Sequence, residues 1–491
     1  MAPVRRHATF SPRRSLGLRR TCPYPFITMT SRLVDTVNIL VPTGALGAGV
    51  READLVAGVA AGAHGIACDA GSTDSGPAYL ATGQSKYARD SVKSDLAILM
   101  RTQAAAGIPL LIGSCGTSGC DDALDWVRDI ALEIALEEGL RPRIALLYSE
   151  QRPSTMLALA EQGRIEPLAP VATVDPTAFA ACDRIVALMG PEPYMAAIEA
   201  GADIVLGGRT TDTAVLAALP LLRGMGVGAS WHAGKIAECG GQCTLNPRAG
   251  GVMIRVGRDA FEVEPLDPDN RCLPSTVSAH MLYENSDPFL LHEPGGTLDV
   301  SQAAYHAATD RVVEVTGSRF ISRPYTMKLE GAAAGDYQTV MLVGIQDRAV
   351  LAEIDRFIAQ MHAYMVHRVE ETMGDRAEEF DISLRPYGWN AVSGDLIGSP
   401  LPAPREIGLL FIATAATQEL ATQIAKTCNP VLFHMPLDVD RELPSFAFPF
   451  SPPEMERGRA FEFKLNHVVH VDQPDELVRV SLIIAGATGH V

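Results

Sequence analysis

Two carboxylates and three hydroxyls crowd the segment Cys68-Asp69-Ala70-Gly71-Ser72-Thr73-Asp74-Ser75-Gly76-Pro77, directly after an apolar run. Carboxylates this close together can divide acid and base work, and neighbouring hydroxyls can orient a polar substrate. Asp69 and Asp74 are therefore candidate acid–base groups, with Ser72, Thr73 and Ser75 as substrate contacts. A second cluster, Gly207-Gly208-Arg209-Thr210-Thr211-Asp212, sets an arginine fork beside two glycines. That equipment suits a carboxylate or phosphate, with Arg209 as the anion clamp and Gly207, Gly208, Thr210 and Asp212 around it. The other reading of Arg209 is an internal clamp, paired with Asp212 or Asp203.

Further candidates stand outside these clusters. Ser114 and Cys115 belong to a glycine- and serine-rich loop, Gly113 to Ser118, and count as substrate contacts. Glu238 is a third carboxylate for acid–base work, and His280 and His467 sit beside polar neighbours able to fix a tautomer. Cys115 and Cys239 become nucleophiles only if their thiolates are stabilised, and are otherwise small buried residues. Cys115, Cys120, Cys239 and Cys243 lack the close pairing or adjacent histidines of a zinc site, so no metal is expected. The patterns of a serine hydrolase elbow, a Walker loop and an H-E-x-x-H helix are absent.

One motif points elsewhere. Gly44-Ala45-Leu46-Gly47-Ala48-Gly49 follows the first apolar run and precedes a helical segment, with Asp69 placed to take ribose hydroxyls. The order is G-x-x-G-x-G and not the dinucleotide G-x-G-x-x-G. No cofactor is expected, with a nucleotide- or NAD-dependent enzyme kept as the alternative.

To act together these residues must be carried to one place. From Val37 to Val205, apolar runs of strand length alternate with segments of helical period, the pattern of a mainly parallel α/β sheet. Strands are expected at Val37–Val41, Gly65–Asp69, Leu110–Gly113, Arg143–Leu147, Arg184–Leu188 and Ile204–Leu206. Loops after successive parallel strands gather on one edge, so the polar strand ends are expected to share one cleft. After Cys120, Leu124, Val127, Ile130, Ala131 and Ile134 form an apolar stripe, with Asp121 and Asp122 as caps. A helix is expected at Ala352–Val369, and antiparallel strands near Phe461–Leu465 and Val478–Leu482.

The resulting fold class is α/β, a mainly parallel N-terminal sheet domain with a second α+β part. The expected units are residues 1–28 as an extension, 29–230 as the cleft domain, 231–400 as the second part and 401–491 as a mixed C-terminal segment. The extension is rich in arginine and lacks acid, which fits a transit peptide or an over-extended start before Met29. The 491-residue chain carries a net charge of -17 and 47% hydrophobic residues, which argues for a large core and against a nucleic-acid partner. No run is long and apolar enough for a membrane span. Nine scattered cysteines read as reduced thiols in a cytoplasmic compartment.

Three stretches resemble one family. Gly190-Pro191-Glu192-Pro193 with Ala197 through Asp212, then Glu238-Cys239-Gly240-Gly241-Gln242, then Leu282-Tyr283-Glu284-Asn285-Ser286-Asp287-Pro288, are similar in order and spacing to the acyclic terpene utilisation protein A family. The resemblance covers roughly residues 36 to 330, and Phe448-Pro449-Phe450-Ser451-Pro452 to Asn466-His467 resembles the tail of one subgroup. It implies catabolism of carboxylic acids, in founding members as coenzyme A thioesters from citronellol and geraniol, and it implies no catalytic residue set. The Asp69 to Pro77 motif departs from the commoner members. The expected activity is thus a lyase of the hydratase or dehydratase type on a small carboxylic acid or its thioester, in a homo-oligomer. A non-catalytic subunit completed by a small partner is the remaining alternative.

Overall fold

The computed structural model describes residues 33, 35–374, 379–394 and 403–486; the N-terminal extension lies outside them. The apolar runs form strands where alternation with helices places them: β1 (Val37–Val41), β2 (Gly65–Asp69), β3 (Leu110–Gly113) and β4 (Arg143–Tyr148). With the strand Ile204–Gly207 inserted between β3 and β4, these five pair in parallel. β2 and β3 are buried along their whole length and β1 at every residue but Asn38, which accounts for their near-continuous apolar character.

The sheet does not stop there. Val252–Val256 pairs antiparallel with β1, followed outward by Ala260–Pro265, Val313–Thr316 and Ala304–Ala307. On the other edge Arg479–Ile484 returns antiparallel to β4, completing ten strands. The sheet is therefore mixed, with a parallel centre. The boundary expected between residues 230 and 231 falls inside the helix Val227–Ala237, which packs on the helix Asp212–Leu222, and strands on both sides of it share the sheet. Both helices are buried along most of their length, so no polar stripe marks them.

The strand expected at Arg184–Leu188 forms as Arg184–Ala187 but is not part of the parallel set. It pairs antiparallel with the long strand Thr326–Ile345 of a seven-stranded second sheet, at Leu329–Ala332. An apolar run specifies burial, and either sheet supplies it. In that second sheet Met455–His470 and Ile407–Ala415 flank the long strand. Its helix Ile354–Met373 buries Ile354, Phe357, Met361, Met365 and Val369 at helical spacing.

The helix Asp121–Glu138 carries the expected stripe, but neither Asp121 nor Asp122 caps it by side chain. Glu150 accepts from the Asp121 amide at 2.8 Å instead, and Arg184 binds Glu150 at 3.2 Å and Asp122 at 2.5 Å.

The two sheets are tied by a buried ion pair. Arg209, just after the strand Ile204–Gly207, donates from Nε to Glu330 Oε2 at 3.0 Å, and both side chains are about 6% exposed. Ser114 Oγ accepts from Arg209 Nη1 at 3.2 Å, while Thr73 and Lys328 donate to the Glu330 carboxylate at 3.1 Å each. Arg209 and Lys328 hold the Glu330 carboxyl down to about 2, outweighing a burial effect that would raise it.

The glycine turn after β1 is also held internally. Asp95, on the helix Arg89–Ala106, accepts from the amides of Gly47 at 2.9 Å, Gly49 at 3.0 Å and Val50 at 2.9 Å. The turn is an anion nest as its glycines imply, and the anion it binds is part of the chain. A dinucleotide pyrophosphate would find those donors taken.

Removing one partner of a buried pair leaves the other charged and alone. Glu330→Ala should therefore lose about 3–5 kcal/mol of unfolding free energy in denaturant titrations, and Arg209→Met with Glu330→Leu together should lose less than the sum of the single changes. Asp95→Ala, which orphans three amides, is expected to lose about 2–4 kcal/mol in the same assay. Saturating NAD or FAD is expected to leave the wild-type melting temperature unchanged.

Candidate functional site

The ends of β1 and β2, the start of the helix Asp212–Leu222 and the end of the helix Val227–Ala237 open on one cleft of about 800 Å³. Asp69, Ser72, Asp74, Ser75, Asp212 and Glu238 line it, joined by Cys239, Tyr283 and Glu284. Of the polar strand ends, those of β1 and β2 reach it, with Thr117 after β3 and Asp212 after the strand Ile204–Gly207, whereas Tyr148, Ser149 and Glu150 after β4 do not line it. Close backbone approach makes this possible: at Gly71, φ +154°, a Cβ would fall 2.2 Å from Thr117 Cα.

Each carboxylate in the cleft has its own environment. Asp69 is 5% exposed; its Oδ2 accepts from the Gly71 amide at 2.9 Å, and its Oδ1 is buried without a hydrogen bond. Burial first, then the Asp212 carboxylate, push the Asp69 carboxyl well above its ordinary range, against Arg209 and the Gly71 and Ala70 amides. Burial likewise pushes Asp212 up to about 6, opposed by Arg209, 3.6 Å away, and reinforced by Asp74. Asp74 itself is exposed and accepts from Ser72 Oγ at 2.6 Å.

At the other wall Glu238 pairs with Lys235 one helical turn back, and both are buried. Burial pushes the Glu238 carboxyl up to about 8 even though the Lys235 ammonium draws it down. His280 opens the short 3-10 turn His280–Leu282, and its Nε2 lies 4.0 Å from Glu238 Oε1. Burial, then Lys235, lower the imidazole to about 4, so it is neutral at neutral pH. Burial and Glu238 raise the Cys239 thiol above its ordinary range, which leaves it a poor nucleophile.

The remaining expected contacts lie beneath the cleft. Arg209 is spent on Glu330, Ser114 and Asp212, which is the internal-clamp reading of that arginine. Gly207 has no Cβ because Tyr194 Oη would lie 1.7 Å from it, and the Gly208 amide donates to Leu147 O at 2.7 Å. These glycines serve close packing, so their amides are not free for an anion. Ser114 and Cys115 are fully buried, Thr210 shares its hydroxyl with Tyr194 at 2.8 Å, and Thr73 is turned to Glu330. His467 lies in the second sheet, packed on Phe179 with ring centroids 5.9 Å apart.

Charges on the rim come from residues that no motif marked. Lys86 donates to Ser75 Oγ at 2.8 Å, and Arg51 is held by Asp267 at 2.8 Å. Arg248 is exposed and has no carboxylate within 4.0 Å among the described residues. Lys235 was readable in principle, since a lysine three residues before a glutamate on an apolar helix shares its face. Arg248 carried no such signal.

No helix among the described residues is long and apolar enough to cross a membrane. Compared with known proteins, no curated protein and no solved structure matches the chain. Residues 72–267 and 260–442 match the family model described as acyclic terpene utilisation family protein AtuA. The matched spans include Asp74, Asp212, Glu238, Tyr283 and Glu284 of the cleft and both members of the Arg209–Glu330 pair, and leave out Asp69 and the turn after β1. With most of its length matched, the chain belongs to the AtuA family of acyclic terpene utilisation.

Proposed function

We propose that the protein is a carbon–oxygen lyase, adding water to or removing it from a small unsaturated or hydroxylated carboxylic acid or its coenzyme A thioester. The observation that carries this reading is the pair Asp69 and Asp212, two cleft-lining carboxylates whose proton affinity burial raises, that of Asp69 further through Asp212, with Arg209 acting on both from below. Two neighbouring acids that are both displaced upward can divide proton transfer, one donating and the other accepting. Asp69, the more deeply buried and pushed well above the ordinary carboxylate range, takes the role of proton donor to the leaving hydroxyl. Asp212, partly open to the cleft, is ionised at neutral pH and takes the proton from carbon.

The substrate carboxylate or thioester phosphate would rest at the rim, where Arg248 has no carboxylate partner among the described residues and Lys86 lies nearby. Ser72 and Ser75 offer hydroxyls between the rim and the acid pair. The family name, which refers to acyclic terpene utilisation, supports a catabolic role and branched acids as the first substrates to try.

The test is a hydration and dehydration screen with branched unsaturated acids and their coenzyme A thioesters, followed by loss of the conjugated chromophore. On a converted substrate, Asp69→Asn and Asp212→Asn should each lower kcat by about 10²–10⁴-fold. Arg248→Ala should raise KM and spare kcat. Because Asp212 acts as the ionised base, kcat/KM should rise with pH through about 6 and level off above it, and Asp212→Asn should lack that limb. Full turnover by Asp212→Asn on a substrate of the wild type would sink the assignment.

A further inference from the structure

We propose that Glu238, Cys239 and His280 form a three-ligand site for a divalent transition metal of the zinc class, with its fourth position facing the cleft. One carboxylate oxygen, the Cys239 Sγ and one imidazole nitrogen all lie within 4.8 Å of one another. Ligands at 2.0–2.3 Å from a tetrahedral ion are separated by distances of roughly this order, so modest side-chain rotation brings the three onto one ion. Carboxylate, thiolate and imidazole together suit zinc or cobalt and not the oxygen-only preference of calcium or magnesium.

A second, independent observation points the same way. The His280 side chain is only 4% exposed, its Nε2 faces Glu238 Oε1 at 4.0 Å, and that nitrogen has no hydrogen-bond partner among the described residues. A buried ring nitrogen without a partner is rare in a folded protein and needs a reason. Stacking on Tyr283, with ring centroids 5.5 Å apart and planes 18° apart, holds the imidazole in this orientation.

The surroundings complete the case. Glu238 and Cys239 line the cleft, so an ion between them is reachable by a small ligand. The Cys239 backbone is pressed against the turn after β1, where a Cβ on Gly44 would fall 2.6 Å from the Cys239 carbonyl carbon. Lys235 donates to Glu238 Oε1 and would orient the carboxylate from the outer shell, and its charge is offset by Asp212 and Glu293, which act on the same group. Loading is proton exchange: the ion takes the Cys239 thiolate and the thiol proton passes to solvent, with no change of oxidation state. The site goes beyond the acid–base reading and stands without it, since Asp69 and Asp212 are not among its ligands.

The experiment uses the full chain, stripped with chelator and titrated with Co²⁺ and Zn²⁺. One Co²⁺ per chain is expected, with a thiolate-to-cobalt charge-transfer band and tetrahedral visible transitions, both displaced by Zn²⁺. Outer-shell changes weaken metal sites by about 10–100-fold, so His280→Ala, which removes a ligand, is expected to weaken zinc binding by more than about 100-fold. Cys239→Ser should abolish the charge-transfer band, and circular dichroism and thermal melting confirm that both variants are folded. Wild-type protein that binds no Co²⁺ saturably, or binds it without the thiolate band, overturns the proposal, as does unchanged binding by folded Cys239→Ser. None of these readouts depends on turnover, so failure of the lyase assignment is seen separately.

Discussion

Arg209 and Glu330 are both almost wholly withdrawn from water, and each depends on the other to remain charged there. Their pairing joins a strand end of the ten-stranded sheet to the first part of the longest strand of the second sheet. Ser114, Thr73 and Lys328 fill the hydrogen-bonding positions that the pair leaves open. The cleft inherits its electrostatics from this arrangement. Arg209 is close enough to Asp69 and Asp212 to lower their proton affinity, yet it is too committed to Glu330 to neutralise them. Both acids, near a cation already committed to Glu330, keep proton affinities above the ordinary carboxylate range.

That electrostatic layout explains why the cleft is acidic in a chain whose net charge is -17. Asp69, Asp74, Asp212, Glu238 and Glu284 all face it, while the cations that balance them lie beneath or on the rim. An acid packed among acids holds protons more tightly, and the same crowding lowers the free energy of a cation placed there. The proposed proton transfer and the proposed metal affinity are two responses to one excess of negative charge in the cleft.

How far the sequence disclosed this can be judged residue by residue. β1 to β3 were legible to the residue because a parallel strand buried on both faces reads as an uninterrupted apolar run closed by a polar turn. Which sheet a strand joins was not legible: Arg184–Ala187 and Arg479–Ile484 have partners far away in sequence, and periodicity records burial without naming the neighbour. In the site, Asp69, Asp74, Asp212 and Glu238 were visible as strand-end or helix-end acids. The Gly207 to Asp212 cluster was visible too, but glycines that admit a ligand and glycines that admit the Tyr194 hydroxyl are written identically. His280 was singled out for its neighbours in the chain, whereas its unpartnered nitrogen and its approach to Glu238 exist only in three dimensions.

The carboxylate of Asp95 in the turn after β1 has one more consequence. Tethered by its own helix, it is presented to the amides of Gly47, Gly49 and Val50 at an effective concentration that a short tether sets at about millimolar or above. A dissolved phosphate must exceed that figure to compete for the same amides. The loop that in other α/β proteins is vacant until a nucleotide arrives is here self-liganded, and it enters every encounter with substrate already in its bound conformation.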